Sequence, residues 1–87
     1  MDDEIARHAA ARGHWPGQTH DQIKQLIAEV RSGWNNRYSA PNGESIYRKG
    51  DVILIENAGR GEGTLFQPSG NALEYYQRWV RRNPGGS

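Results

Sequence analysis

Apolar positions change their spacing twice along this chain, and the changes mark its elements. From Thr19 the apolar residues Ile23, Leu26, Ile27 and Val30 recur at the spacing of one helix face. Thr19 with Gln22 three residues on forms a capping box, and Gly33 supplies a stop, so a helix is predicted over Thr19–Ser32. Residues Asp2–Arg12 predict a shorter helix with acids in its first turn and a small apolar face of Ile5, Ala6 and Ala9. Gly13 and Trp15-Pro16-Gly17 break it. After Trp34 the period shortens. Arg37–Ser39 and Ser45–Arg48 read as strands around a Pro41-Asn42-Gly43-Glu44 hairpin turn. Val52–Ile55 is continuously apolar, which suits a central strand covered on both faces. Ala58–Gly63 reads as a glycine-studded loop and Thr64–Gln67 as a last strand ended by Pro68. Asn71 can cap a closing helix, with Glu74 at its third position and Leu73, Tyr76 and Val80 on one face.

Short connections favour hairpins over parallel crossovers. The predicted fold class is therefore α+β: two N-terminal helices packed on a three- to four-stranded antiparallel sheet, with a C-terminal helix. Eighty-seven residues make one domain over 1–87, with an ordered core expected over about 4–82. The Met-Asp-Asp-Glu start is consistent with a piece of something longer, and Asn-Pro-Gly-Gly-Ser reads as a frayed tail or cloning scar.

Composition narrows the chemistry. Only 34% of residues are hydrophobic, so three Trp, four Tyr and one Phe are expected to supply much of the core, Trp34 and Tyr76 among them. With no cysteine there is no disulfide, thiolate zinc site or Cys nucleophile. No apolar run is long enough to span a bilayer, and no signal-peptide pattern opens the chain. The net charge of +1 announces no polyanion partner. The distribution is more pointed, because Arg78, Arg81 and Arg82 close the chain with no acid after Glu74.

All three histidines, His8, His14 and His20, fall near the N-terminus. His8 and Arg12 share a helix face, His14 follows the helix break, and His20 lies inside the capping box. No HExxH or second histidine pair supports a metal, so neither a metal nor any other cofactor is expected. Nor is there a nucleophile-elbow pattern for a Ser-His-Asp hydrolase. RNA cleavage through the 2′-OH needs only an acid, a base and positive charge on the phosphorane. Candidate cations are Arg12, Lys24, Arg48, Lys49 and Arg60, and Tyr38, Tyr47, Trp15 and Trp34 are candidates to stack a base. Gly61-Glu62-Gly63-Thr64 matches no phosphate-loop fingerprint, but Thr64 can offer a hydroxyl at a strand end.

The stretch His8-Ala-Ala-Ala-Arg12-Gly-His14-Trp-Pro-Gly-Gln-Thr19, followed by Asp21-Gln-Ile23, and the later Gly63-Thr64-Leu-Phe66-Gln-Pro68 resemble a known group. They are similar to the C-terminal ribonuclease toxin domains of bacterial polymorphic and contact-dependent toxins, with the barnase/EndoU/colicin/RelE-like fold. In those sequences the Arg and second His are often adjacent, whereas Gly13 separates them here. The resemblance implies a metal-independent endoribonuclease toxin, with tRNA the first substrate to consider. Its catalytic residues would be His8, Arg12, His14 and Thr64, and its substrate-binding residues Lys49, Arg60, Arg48 and Tyr47. It also implies delivery by a larger bacterial effector into a target-cell cytoplasm and a cognate immunity protein, expected to be acidic where it meets a positive cleft. The competing expectations are a non-catalytic protein- or RNA-binding module and a ribosome-dependent mRNase of a toxin–antitoxin pair.

Overall fold

Hairpin connections dictate the architecture of the computed structural model, which describes residues 1–87. Strands β1 (Asn36–Ser39), β2 (Glu44–Lys49), β3 (Val52–Asn57) and β4 (Glu62–Phe66) pair antiparallel in chain order as one four-stranded sheet. Helices α1 (Asp2–Ala11) and α2 (His20–Gly33) precede the sheet and α3 (Ala72–Arg82) follows it. The fold is the α+β arrangement that the pattern predicts. Local chemistry sets the helix starts. Thr19 Oγ1 accepts from the Gln22 backbone N–H at 3.1 Å while Gln22 Oε1 accepts from that of Thr19 at 2.8 Å. Asn71 Oδ1 does the same for the Glu74 N–H at 3.0 Å. At the first hairpin Gly43 takes φ +93°, open to glycine at little cost, and closes the predicted turn.

Strand alternation gives the sheet two different faces. Tyr47, Leu54 and Leu65 lie in one cross-strand row and pack under α1 and α2 with Ile5, Ala6, Ala9, Ile23, Ile27 and Val30. Ile46, Ile53 and Phe66 point the other way, toward Ala72, Tyr75, Tyr76, Trp79 and Val80 of α3. The central strand β3 is thus covered on both faces, as its apolar run predicts.

Several expectations are corrected. The fully buried side chains are aliphatic, and Tyr47 is the only aromatic residue in the buried core. Tyr38, Phe66, Tyr75, Tyr76 and Trp79 are only partly buried on the α3 face, and Trp15 is partly buried against the core under α1 and α2. Trp34 ends α2 with 45% of its surface exposed, and Leu73 turns outward at 38%. Helix α1 belongs to the core despite its small apolar stripe, since Ile5, Ala6 and Ala9 are wholly buried. The tail folds back: Ser87 N–H donates to Ser39 O at 3.0 Å and Gly86 N–H to Tyr38 Oη at 2.8 Å. Strand β4 begins earlier than expected, at Glu62, so Thr64 stands mid-strand.

One ion cluster joins three elements. Arg31, in the last turn of α2, donates to both Asp2 carboxylate oxygens at 2.8 and 3.0 Å and to Glu56 Oε1 at 2.7 Å. Glu56 is the one buried acid. The next residue along α1, Asp3, is held by Lys24 at 2.8 Å and His20 at 3.2 Å. The Arg31 hydrogen bonds pull the Asp2 carboxyl below its ordinary value, and Lys24, then His20, bring Asp3 down to about 2.

Replacing Arg31 with Met leaves Glu56 buried without a partner, and breaking such a pair costs about 3 kcal/mol. The expected outcome in urea is a lower midpoint with an unchanged slope. The acid side follows from the same contacts. Both aspartates have depressed values, so what they contribute is present above pH 3.8 and is lost as pH falls toward 2. Thermal melts of the wild-type chain should therefore decline across that window, and the Asp2→Asn/Asp3→Asn protein should decline less steeply.

Candidate functional site

Helix α1 runs beside edge strand β4, and residues of both line an open hollow. Ile5 of α1 sits over Gly63, where an added Cβ would stand 3.0 Å from Ile5 Cδ1 and 2.7 Å from the Ile55 carbonyl oxygen. A side chain at position 63 would hold α1 off the strand. One turn after Glu4, His8 comes level with the same stretch of strand. Together Glu4, His8, Gly63 and Thr64 line an open hollow of about 340 Å³. The register completes it from the sheet, with Ile55 opposite Thr64 and the Glu44–Asn57–Glu62 row closing one end.

His8 and Thr64, widely separated in sequence, are thus brought together. The other predicted residues divide into those nearby along β4 and those carried elsewhere. Arg12 caps the C-terminal end of α1 and is exposed. His14 lies farther along the same edge, with its ring 6.0 Å from that of Phe66. Neighbouring Trp15 donates its indole N–H to the Leu65 carbonyl at 2.9 Å, which anchors the loop on the strand. Arg60, in the β3–β4 turn, is exposed with Nη1 3.8 Å from Glu62. His20 is engaged with Asp3 and takes no part in the hollow.

Three substrate-binding expectations do not converge on it. Arg48 and Lys49 stand at the β2–β3 turn, the opposite end of the sheet from the Glu44–Asn57–Glu62 row. Arg48 is also committed, donating to Asn36 Oδ1 at 2.8 Å and to the Gly50 carbonyl at 2.9 Å. Tyr47 is a core residue, and the Arg37 guanidinium lies 5.7 Å from its ring centroid. No base can stack there. The sequence places these residues correctly in the sheet half, but the pairing register sends them to the wrong end.

The hollow also differs in charge from the positive cleft that was expected. Its lining holds four glutamates, Glu4, Glu44, Glu56 and Glu62, against one histidine and no Lys or Arg. Part of that charge is answered: Arg7 pairs with Glu4 at 2.8 Å, Arg31 with Glu56, and Asn42 donates to Glu44 at 2.9 Å. Glu62 has only the longer contact to Arg60. Two of these acids had a signal in the sequence. Glu4 is one helical turn before His8, and Glu62 stands in the Gly-Glu-Gly-Thr run itself. No three His, Cys, Asp or Glu side chains converge as metal ligands, and no helix is long and apolar enough to cross a membrane. Comparison with protein-family models, with curated proteins and with solved structures gave no match.

A Gly63→Ala substitution tests the close approach that shapes this hollow. The added methyl meets backbone on one side and Ile5 on the other, so a cost of about 1–3 kcal/mol is expected. Equilibrium unfolding measures it, and an Ile5→Ala background, which opens the space, should recover part of the loss.

Proposed function

We propose that this protein is a metal-independent endoribonuclease of the toxin kind, with its reacting centre in the hollow between α1 and β4. The observation that carries the proposal is the meeting of His8 with Thr64 in one open, polar hollow. Both belong to the two short stretches that resemble ribonuclease toxin domains.

The chemistry needs no bound group. A base takes the proton of a ribose 2′-OH, the 2′-oxygen attacks the adjacent phosphorus, and an acid protonates the departing 5′-oxygen. The products are a 2′,3′-cyclic phosphate and a free 5′-hydroxyl. His8 and the Glu62 carboxylate, both in the lining, are the proton-transfer pair. The Thr64 hydroxyl donates to a phosphate oxygen. With no cation in the lining, Arg60, beside the lining residue Glu62, is assigned the phosphate charge. Lys49, Arg48 and Tyr47 are too far round the sheet to help.

The biological setting belongs to the same proposal: delivery by a larger bacterial effector, action on RNA (tRNA first) in a target-cell cytoplasm, and a cognate immunity protein. The structure alters one part of it. An inhibitor seated in this hollow meets glutamates, so it has no need to be acidic there.

Purified protein incubated with total tRNA in EDTA should generate fragments ending in a 2′,3′-cyclic phosphate. His8→Ala should lower the rate at least about a hundredfold, within the usual range for a positioned acid/base. Thr64→Val should lower it as well, while Lys49→Ala leaves it unchanged. Intact RNA with folded wild-type protein would sink the proposal. Loss of activity in His14→Ala with full activity in His8→Ala would move the centre along β4 to Phe66.

A further inference from the structure

The free positive charge of the molecule lies away from the hollow. Of its eleven Lys and Arg residues, Arg7, Lys24, Arg31 and Arg60 are paired with carboxylates, and those carboxylates belong to α1, β3 or β4. The remaining seven are Arg12, Arg37, Arg48, Lys49, Arg78, Arg81 and Arg82. All but Arg12 lie on β1, β2 or α3, where the only acids are Glu44 and Glu74. Helix α3 concentrates this charge in its second half.

A groove runs along that helix. Tyr75, Arg78, Trp79 and Arg82 line an open hollow of about 220 Å³. Their spacing of i, i+3, i+4 and i+7 puts them on one helix stripe. Each ring is braced from behind, Tyr75 edge-on to Phe66 at 5.2 Å and Trp79 edge-on to Tyr38 at 6.3 Å, so both are already ordered. Arg78 and Arg82 are exposed and have no carboxylate partner. Two ordered rings alternating with two unpaired guanidinium groups suit a ligand that alternates flat apolar groups with anionic ones.

We propose that the α3 groove binds single-stranded RNA, its phosphates on Arg78 and Arg82 and a base against Tyr75 or Trp79. This is charge complementarity with a specific addition. An acidic protein surface or an anionic membrane would satisfy the arginines but gives the rings no flat partner, whereas a nucleic-acid strand engages both. That the strand is RNA rests on the activity proposed for the hollow; the recognition chemistry does not. Strand β4 links the two places, since Thr64 of the hollow and Phe66 behind Tyr75 are both its residues and alternate to the same face.

Binding is measured by fluorescence anisotropy with a labelled 2′-O-methyl oligouridine of about twelve nucleotides. The blocked 2′-oxygen prevents cleavage, so failure of catalysis in the hollow does not affect the result. Arg78→Ala/Arg82→Ala should weaken binding at least about tenfold. It should also flatten the dependence of log K on log salt by about 1.4, or about 0.7 for each phosphate no longer neutralised. An abasic strand of equal charge should bind about fivefold or more weakly than the base-bearing one. Both positions are exposed, and an unchanged thermal melt of the double variant confirms that its fold is intact. Undiminished binding by that variant would overturn the proposal. So would loss of binding in Arg12→Ala/Arg60→Ala with the α3 pair unaffected. Equal affinity for the abasic strand, for oligoglutamate or for phosphatidylserine vesicles would overturn it too, as plain attraction to any polyanion.

Discussion

Arg31 fixes the position on which the rest of the structure depends. Apolar burial draws α1 onto the sheet, but it is non-directional, and within the stripe of Ile5, Ala6 and Ala9 it is the fit of Ile5 over Gly63 that resists a slide along the groove. The forked guanidinium cannot tolerate such a slide. It grips Asp2 through two hydrogen bonds and Glu56 through its other side, so the first turn of α1, the last turn of α2 and β3 meet at one point. From that point the rise of the helix places Ile5 over Gly63 and His8 in the lining of the hollow that Thr64 also lines. Glu56 forms part of the hollow wall, so the structural ion cluster and the candidate site share a residue.

The same cluster explains how the charges are distributed. Carboxylates gathered at the α1–β3–β4 side must be answered where they are buried or crowded, and Arg7, Lys24 and Arg31 answer them. Cations on α3 and the first hairpin have few acids near them and make no ion pair. A chain with a net charge of only +1 thereby acquires an acidic side and a basic side. Net charge counts residues, whereas a partner meets only the charge that the fold leaves unpaired.

Much of the fold was legible because its signals are local. Thr19 with Gln22 and Asn71 with Glu74 specify helix starts through atoms three residues apart, and Asn42-Gly43 specifies a turn. Val52–Ile55 identified itself as a doubly covered strand by having no polar alternation. What escaped depends on distant partners. Trp34 reads as core by residue type, but it stands where α2 ends, with nearly half of its surface open. Tyr47 reads as a stacking residue until the register aligns it with Leu54 and Leu65 beneath the helices. The motif stretches name His8 and Thr64, and the fold places both in the lining of one hollow. Arg48 and Lys49 were misassigned because which end of a strand faces the hollow is set by hairpin pairing, not by composition.

The separation of free cations from the histidine hollow bears on how such a molecule could act on RNA. Four glutamates lining a small hollow repel a phosphodiester, and Arg60, beside Glu62, offsets only part of that repulsion. In the proposed reaction a carboxylate there serves only the chemical step, dividing the proton transfers with a histidine. Affinity for the polyanion must then come from surfaces outside the reacting centre, and the unpaired arginines are on α3. Binding energy gathered away from the reacting atoms can hold a strand against an otherwise unfavourable site. In that arrangement added salt weakens capture of the strand far more than turnover of the captured one, because screening acts on the exposed arginines more than on hydrogen bonds within the hollow.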